Sequence, residues 1–271
     1  MFDLSDLWRS KGVPEGGVLL LHSSAKRTLK THGITPRELL QSFIDAVGDG
    51  GTLCIPAFTF AWCRGEPVDI VNTPAENMGV LCAEAMRWPG AALHPHPVYR
   101  TVVIGRHAQT WRDRTTPSTL DTSQGLGRSS IFGWLHHIGG TIGVLDLPDQ
   151  NSQTFYHYVE QCAGAKWRSH KSWRGQYTDE NGETTLREYS IYVRKDGVET
   201  HVDPMGSIMW RAGLYRGDRP HTASGLRTIK AVAMYDFVSS AISAIHQGAM
   251  SHKHLYLYHE QPLEEFDGIV G

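Results

Sequence analysis

One unit near the amino terminus constrains this chain more than any other feature: an apolar strand, a capped helix and a second apolar strand within residues 17–58. Gly17-Val18-Leu19-Leu20-Leu21-His22 is an unbroken apolar run, the pattern of a strand covered on both faces rather than one facing water. A loop is expected next. Thr35-Pro36-Arg37-Glu38 then carries a helix start, with a capping Thr, Pro at the first helical position and Glu three residues after the cap. Leu39, Leu40, Phe43, Ile44 and Val47 recur at helical spacing and define one buried face. Gly48-Asp49-Gly50 ends the helix, and Gly51–Phe58 reads as the second buried strand. A strand, a helix of about three turns and another strand predict a right-handed parallel unit.

Further elements follow the same logic. Helical periodicity is read over Asn72–Trp88, strands over Val98–Gly105 and Thr141–Leu147, and a helix over Asn151–Cys162. The pattern changes after residue 174: Asn181-Gly182 and Asp196-Gly197 stand between β-rich runs and predict an antiparallel hairpin region over about 174–202. An amphipathic helix over Thr228–Ile245 and a short strand over His254–Tyr258 complete the reading. There are no internal repeats or Pro/Gly-rich linkers. The expected fold class is therefore α/β: one layered mixed-sheet domain spanning 1–271, its parallel portion first and its antiparallel region later.

Composition narrows the partners. The net charge of −2 argues against a polyanion-binding surface, so a small molecule is expected and nucleic acid is not. Cys54, Cys63, Cys82 and Cys162 form no Cys-x-x-Cys pair and suit a reducing compartment. Met1–Asp6 shows no basic segment followed by an apolar one, and no apolar run approaches the roughly 20 residues of a membrane span. A cytoplasmic location without membrane partners is the expectation, and a homo-oligomer is compatible with it.

Three segments carry candidate chemistry. His157 and Glu160 share a helix face, so the carboxylate can orient the imidazole as a general base. With 15 His in the chain, about one such pair arises from composition alone, and a solvated helix face gives the same spacing. His22-Ser23-Ser24 closes a buried strand, where open α/β sheets bind ligands, though a plain strand-end turn reads alike. Gly125–Gly133 has the glycine and hydroxyl content of a phosphate-cradling loop but matches neither dinucleotide nor Walker spacing. The pairs His94/His96 and His136/His137 have no Cys or carboxylate at ligand spacing, so no metal is expected. The chain lacks G-x-S-x-G, which disfavours a nucleophile-elbow hydrolase.

Taken in order, G-V-L-L-L-H-S-S, G-x-G-G-T-L-C-I-P-A-F, N-T-P-A-E-N-M-G, H-P-x-x-R-x-x-x-x-G, S-I-F-G-W-L and T-F-Y-H-Y-V-E form a series that resembles the aminoglycoside 3-N-acetyltransferase family across roughly residues 15–165. The resemblance implies the fold of that family and direct acetyl transfer from acetyl-CoA, the co-substrate, to an amine of an amino sugar, sugar nucleotide or aminoglycoside, with no acyl-enzyme. Either antibiotic resistance or polysaccharide and secondary-metabolite synthesis is compatible with it. It further implies that His157 is the general base, that Glu160 orients it or holds the substrate amine, and that Thr154 faces the developing oxyanion. Ser23, Ser24, Ser130 and Gly133 would contact coenzyme A, while Phe58, Thr59, Asn72 and Met78 would line its pantetheine and acetyl end. Arg100 would suit a phosphate or carboxylate of the substrate. A Ser/His/Glu hydrolase and a non-catalytic binding protein are the alternatives.

Overall fold

The apolar run that opens the chain lies at the centre of a sheet covered on both sides. The computed structural model describes residues 3–113, 125–219, 225–248 and 257–259. In chain order the strands are β1 (Val18–Ser23), β2 (Thr52–Pro56), β3 (Val68–Asp69), β4 (Ala92–His94), β5 (Thr101–Gly105), β6 (Thr141–Leu145), β7 (Arg168–Thr178), β8 (Thr184–Arg194), β9 (Glu199–His201), β10 (Tyr215–Gly217), β11 (Leu226–Lys230) and β12 (Leu257–His259). The helices are α1 (Leu4–Ser10), α2 (Lys26–His32), α3 (Pro36–Val47), α4 (Gly79–Met86), α5 (Ala108–Asp113), α6 (Ile131–His137), α7 (Phe155–Cys162), α8 (Asp203–Arg211) and α9 (Ala231–His246).

The main sheet has the order β10-β11-β6-β1-β2-β5-β4. Its middle is parallel, with β1 pairing β6 on one side and β2 on the other. Both flanks are antiparallel. Strand alternation sends Leu19 and Leu21 into one apolar cluster with Leu39, Phe43 and Leu81. Leu20 points to the other, with Phe155, Val159 and Met234. Helices thus cover both faces, which is why these strands read as continuous apolar runs.

The strand–helix–strand unit forms as expected, and α3 carries the complete capping box at Thr35 and Glu38. Several expectations are corrected. The loop after β1 contains α2, whose only strongly apolar residue is Leu29; periodicity cannot reveal it. Its start is capped from outside, because the Asp146 carboxylate at the end of β6 accepts from the backbone N–H and the hydroxyl of Thr28 at 3.0 and 2.6 Å. The helix read over Asn72–Trp88 is confined to α4, since Asn77 and Gly79 adopt left-handed backbone at φ 57° and 74° and interrupt any helix there.

Strand β5 runs antiparallel to β2, so antiparallel pairing is not restricted to the late region. The Asn181-Gly182 turn joins β7 and β8 in a hairpin of two 11-residue strands, whereas beyond Asp196-Gly197 the chain leaves it, and β9 pairs with β12. The helix expected from Thr228 starts at Ala231 because Leu226–Lys230 is a sheet strand. Of the last strand read over His254–Tyr258, positions 254–256 lie outside the described residues.

Candidate active site

Strand β6 ends beside β1 in the parallel part of the sheet, where ligands of open α/β sheets bind. From there the chain makes a 3-10 turn at Asp149–Asn151 and enters α7 at Thr154. Phe155, Tyr156, Tyr158 and Val159 bury the helix in the core. That anchoring presents His157 to a cleft of about 390 Å³ lined also by His22, Phe58, Met78, Gln153 and Thr154.

Glu160 is fully buried, and three side chains hold its carboxylate. Trp167 Nε1 donates to Oε1 at 2.8 Å. Arg168 Nε lies 2.6 Å from Oε2, an ion-pair contact whose N–H is not aligned for a hydrogen bond. His157 Nδ1 lies 2.8 Å from the same oxygen. Burying a carboxylate is costly unless it is paired and hydrogen-bonded, and here it is both. His157 keeps 35% of its side-chain surface accessible.

Burial, followed by the positive charge of Arg168, lowers the His157 pKa from the usual imidazole value, with Glu160 partly opposing both. A neutral ring at neutral pH is the form a base needs. Nδ1 also sits 2.9 Å from Arg168 Nη2. It cannot at once donate to Glu160 and accept from Arg168, so the two contacts correspond to opposite tautomers. The tautomer with Nδ1–H on Glu160 leaves the Nε2 lone pair free.

The other expected site residues divide. Phe58, Met78 and Thr154 line the cleft with His157. Thr59, between the lining residues Phe58 and Phe60, is buried and donates its hydroxyl to Glu76 at 2.7 Å. Ser23 ends β1 and Ser24 follows it, both half-buried, and Ser24 N donates to Leu145 O. Asn72 is exposed and bonds Asp69. Ser130 is the N-cap of α6: its hydroxyl donates to Gly127 O at 2.6 Å and accepts from Gly133 N at 3.2 Å. Gly133 is needed for close packing, since a Cβ there would lie 2.2 Å from Arg128 O.

Arg100 corrects the expectation of a substrate contact. It has 0% exposure, and its guanidinium donates to the carbonyls of Ala57, Ile70 and Thr73. Those bonds brace the segment before α4 instead of reaching a ligand. Conversely, Arg168, Trp167 and Gln153 were not legible as site residues. Arg168 and Trp167 begin a hairpin, and nothing local to Trp167-Arg168 signals a carboxylate partner one helix away. Among the described residues no group of three or more His, Cys, Asp or Glu side chains is placed to hold a metal, and no helix is long and apolar enough to cross a membrane.

Comparison with solved structures places this architecture among the aminoglycoside acetyltransferases. The crystal structure of aminoglycoside acetyltransferase AAC(3)-IIb superposes with a TM-score of 0.73 at 19% identity, covering 89% of this chain and 95% of that one. The AAC-IIIb binary complex with CoASH gives 0.71 at 20% identity over 89% and 95%. Aminoglycoside N(3)-acetyltransferase IV from Salmonella sp is 34% identical over 87 residues, a match spanning 32% of each chain. The profile of the aminoglycoside 3-N-acetyltransferases matches residues 20–243. The chain belongs to the aminoglycoside 3-N-acetyltransferase family, a family of acyltransferases.

Proposed function

We propose that the protein transfers the acetyl group of acetyl-CoA to an amino group of an aminoglycoside or a simpler amino sugar, by direct attack and with His157 as general base. The observation that carries this reading is His157 at the cleft, backed by the Glu160 carboxylate that Arg168 and Trp167 hold in place. Acetyl-CoA supplies an acyl carbon activated as a thioester. The lining residues fit its acyl end, combining apolar Phe58, Phe60 and Met78 with the polar run from Gln150 to Thr154.

In this mechanism Glu160 accepts Nδ1–H and fixes the tautomer, so His157 Nε2 takes a proton from the substrate ammonium. Sugar amines are largely protonated near neutral pH, and a neutral imidazole beside them generates the nucleophile. His157 passes that first proton to solvent, and the neutral amine forms the C–N bond as the C–S bond breaks. The ring then takes the second proton, which the nitrogen sheds on becoming an amide, and delivers it to the departing sulfur, so one proton is released overall. Thr154, at the helix start, is the proposed donor to the oxygen that gains charge. The hydrolase alternative is less well supported: the Ser152 hydroxyl is engaged by Pro148 O at 2.7 Å.

Thiol release from acetyl-CoA tests the reading, followed with glucosamine, a nucleotide-linked amino sugar and tobramycin. Release that requires an amine is the expected result; release without one points to hydrolysis, and none with any amine would sink the proposal. His157→Ala is expected to lower kcat by about 10²–10⁴-fold while coenzyme A still binds, and wild-type turnover in that variant would remove His157 as the base.

A further inference from the structure

A chain of hydrogen bonds runs from a buried ion pair to the cleft and leaves one atom without a partner. Arg227 Nη2 and Nε contact Asp149 Oδ1 at 2.6 and 3.1 Å. Tyr215 OH lies 2.8 Å from the other carboxylate oxygen, and as the only group of the two carrying a proton it must donate. The Tyr215 oxygen is therefore left to accept, and Gln153 Nε2 donates to it at 2.8 Å. This sequence settles which way the Gln153 amide points, a choice otherwise ambiguous between its O and N. Gln153 Oε1 is left buried with no hydrogen-bond partner.

Gln153 has 4% exposure and lines the cleft one turn before His157. Buried carbonyl oxygens nearly always have a donor, and one held without it is costly. His22 Nε2, in a ring with 6% exposure, is a second unpartnered atom in a residue lining the same cleft. Other unpartnered buried atoms, His96 Nε2 and Thr141 Oγ1, lie outside the cleft, but these two belong to residues that line it.

We propose that Gln153 Oε1 is a preset acceptor for an N–H group of a bound reactant, a specificity-determining contact beside the base. Two reactants of the proposed reaction carry such a group: the amine and the pantetheine amides. The inference rests on the transferase reading for the identity of the ligands, but it is tested by binding, not turnover. In a His157→Ala background, tobramycin and coenzyme A are titrated separately by calorimetry, with and without Gln153→Met. The expected result is a loss of about tenfold in affinity for one ligand, equivalent to 1.4 kcal/mol, with the other unchanged. Loss for tobramycin assigns the contact to the amine, and loss for coenzyme A assigns it to pantetheine.

Gln153→Met also removes the amide N–H that Tyr215 accepts, so a modest fall in Tm is expected whichever role holds. Loss of affinity for one ligand with the other unchanged is the readout that a merely structural role would not give. If Gln153→Met does not fold, Tyr215→Phe carries the test: it releases the amide from its fixed orientation and is expected to weaken the same ligand three- to fivefold. Affinities for both ligands within twofold of the background protein in the folded variants would overturn the proposal. A failure of all thiol release, with the binding loss intact, would count against the transferase reading alone.

Discussion

His157 is held between opposing influences, and that balance gives a pH prediction. Burial and Arg168 depress its pKa, and Glu160 pushes it up. Turnover is thus expected to require the neutral ring and to fall on acidification only below the ordinary imidazole range. Arg168→Gln removes a positive charge while Glu160 stays, so the His157 titration followed by proton NMR is expected to move to higher pH; a downward move would refute this balance of charges. The ¹⁵N shifts of the ring should report Nδ1–H and a bare Nε2 at pH 8. The opposite tautomer would assign Nδ1 to Arg168 and remove the base from the proposed mechanism.

His22 makes a second case. Burial alone lowers its pKa to about 3, below the unfolded value near 6.5. The native state then binds fewer protons, so stability is complete above pH 6.5 and is lost as pH falls toward 3, by up to about 5 kcal/mol. His22→Gln is expected to flatten the fall in Tm between pH 7 and 5. An unchanged acid slope would show that His22 titrates normally.

At the scale of elements, legibility depended on where each element finds its partners. Helix α3 carries its cap, its stop and its apolar face within its own sequence, and it was read correctly. Helix α2 does not: its N-terminal N–H is satisfied by Asp146, over a hundred residues later, so no local pattern marks it. Helix α4 was overextended because apolar spacing continued through residues that the left-handed backbone at Asn77 makes non-helical.

The Ser130–Gly133 segment belongs to this scale as well. Ser130→Ala is expected to cost about 1 kcal/mol of stability through loss of the α6 cap, with the acetyl-CoA KM within twofold of wild type. A large rise in KM without a change in urea unfolding would instead assign its hydroxyl to the coenzyme.

For the molecule as a whole, the Asp149–Arg227 pair links β11 to the turn that introduces α7, and both side chains are almost fully buried. Removing one member of a buried pair leaves the other uncompensated. Arg227→Met is therefore expected to destabilise by about 3–5 kcal/mol in denaturant unfolding, and a loss under 1 kcal/mol would mean the pair is dispensable.

By itself the sequence determined the buried parallel centre, the main helices, the β7–β8 hairpin and the family, because apolar periodicity, caps and turn residues act over a few positions and the ordered motifs reinforce one another. It also placed His157 and Glu160 on one helix. Only the tertiary structure decided what surrounds them. Arg168 and Trp167 reach Glu160 from the start of a strand, Arg100 turns inward to backbone carbonyls, and Tyr215 and Arg227 orient Gln153 across more than sixty residues. Charge pairing and hydrogen bonding depend on distances of a few ångströms in space, and separation along the chain carries almost no information about them.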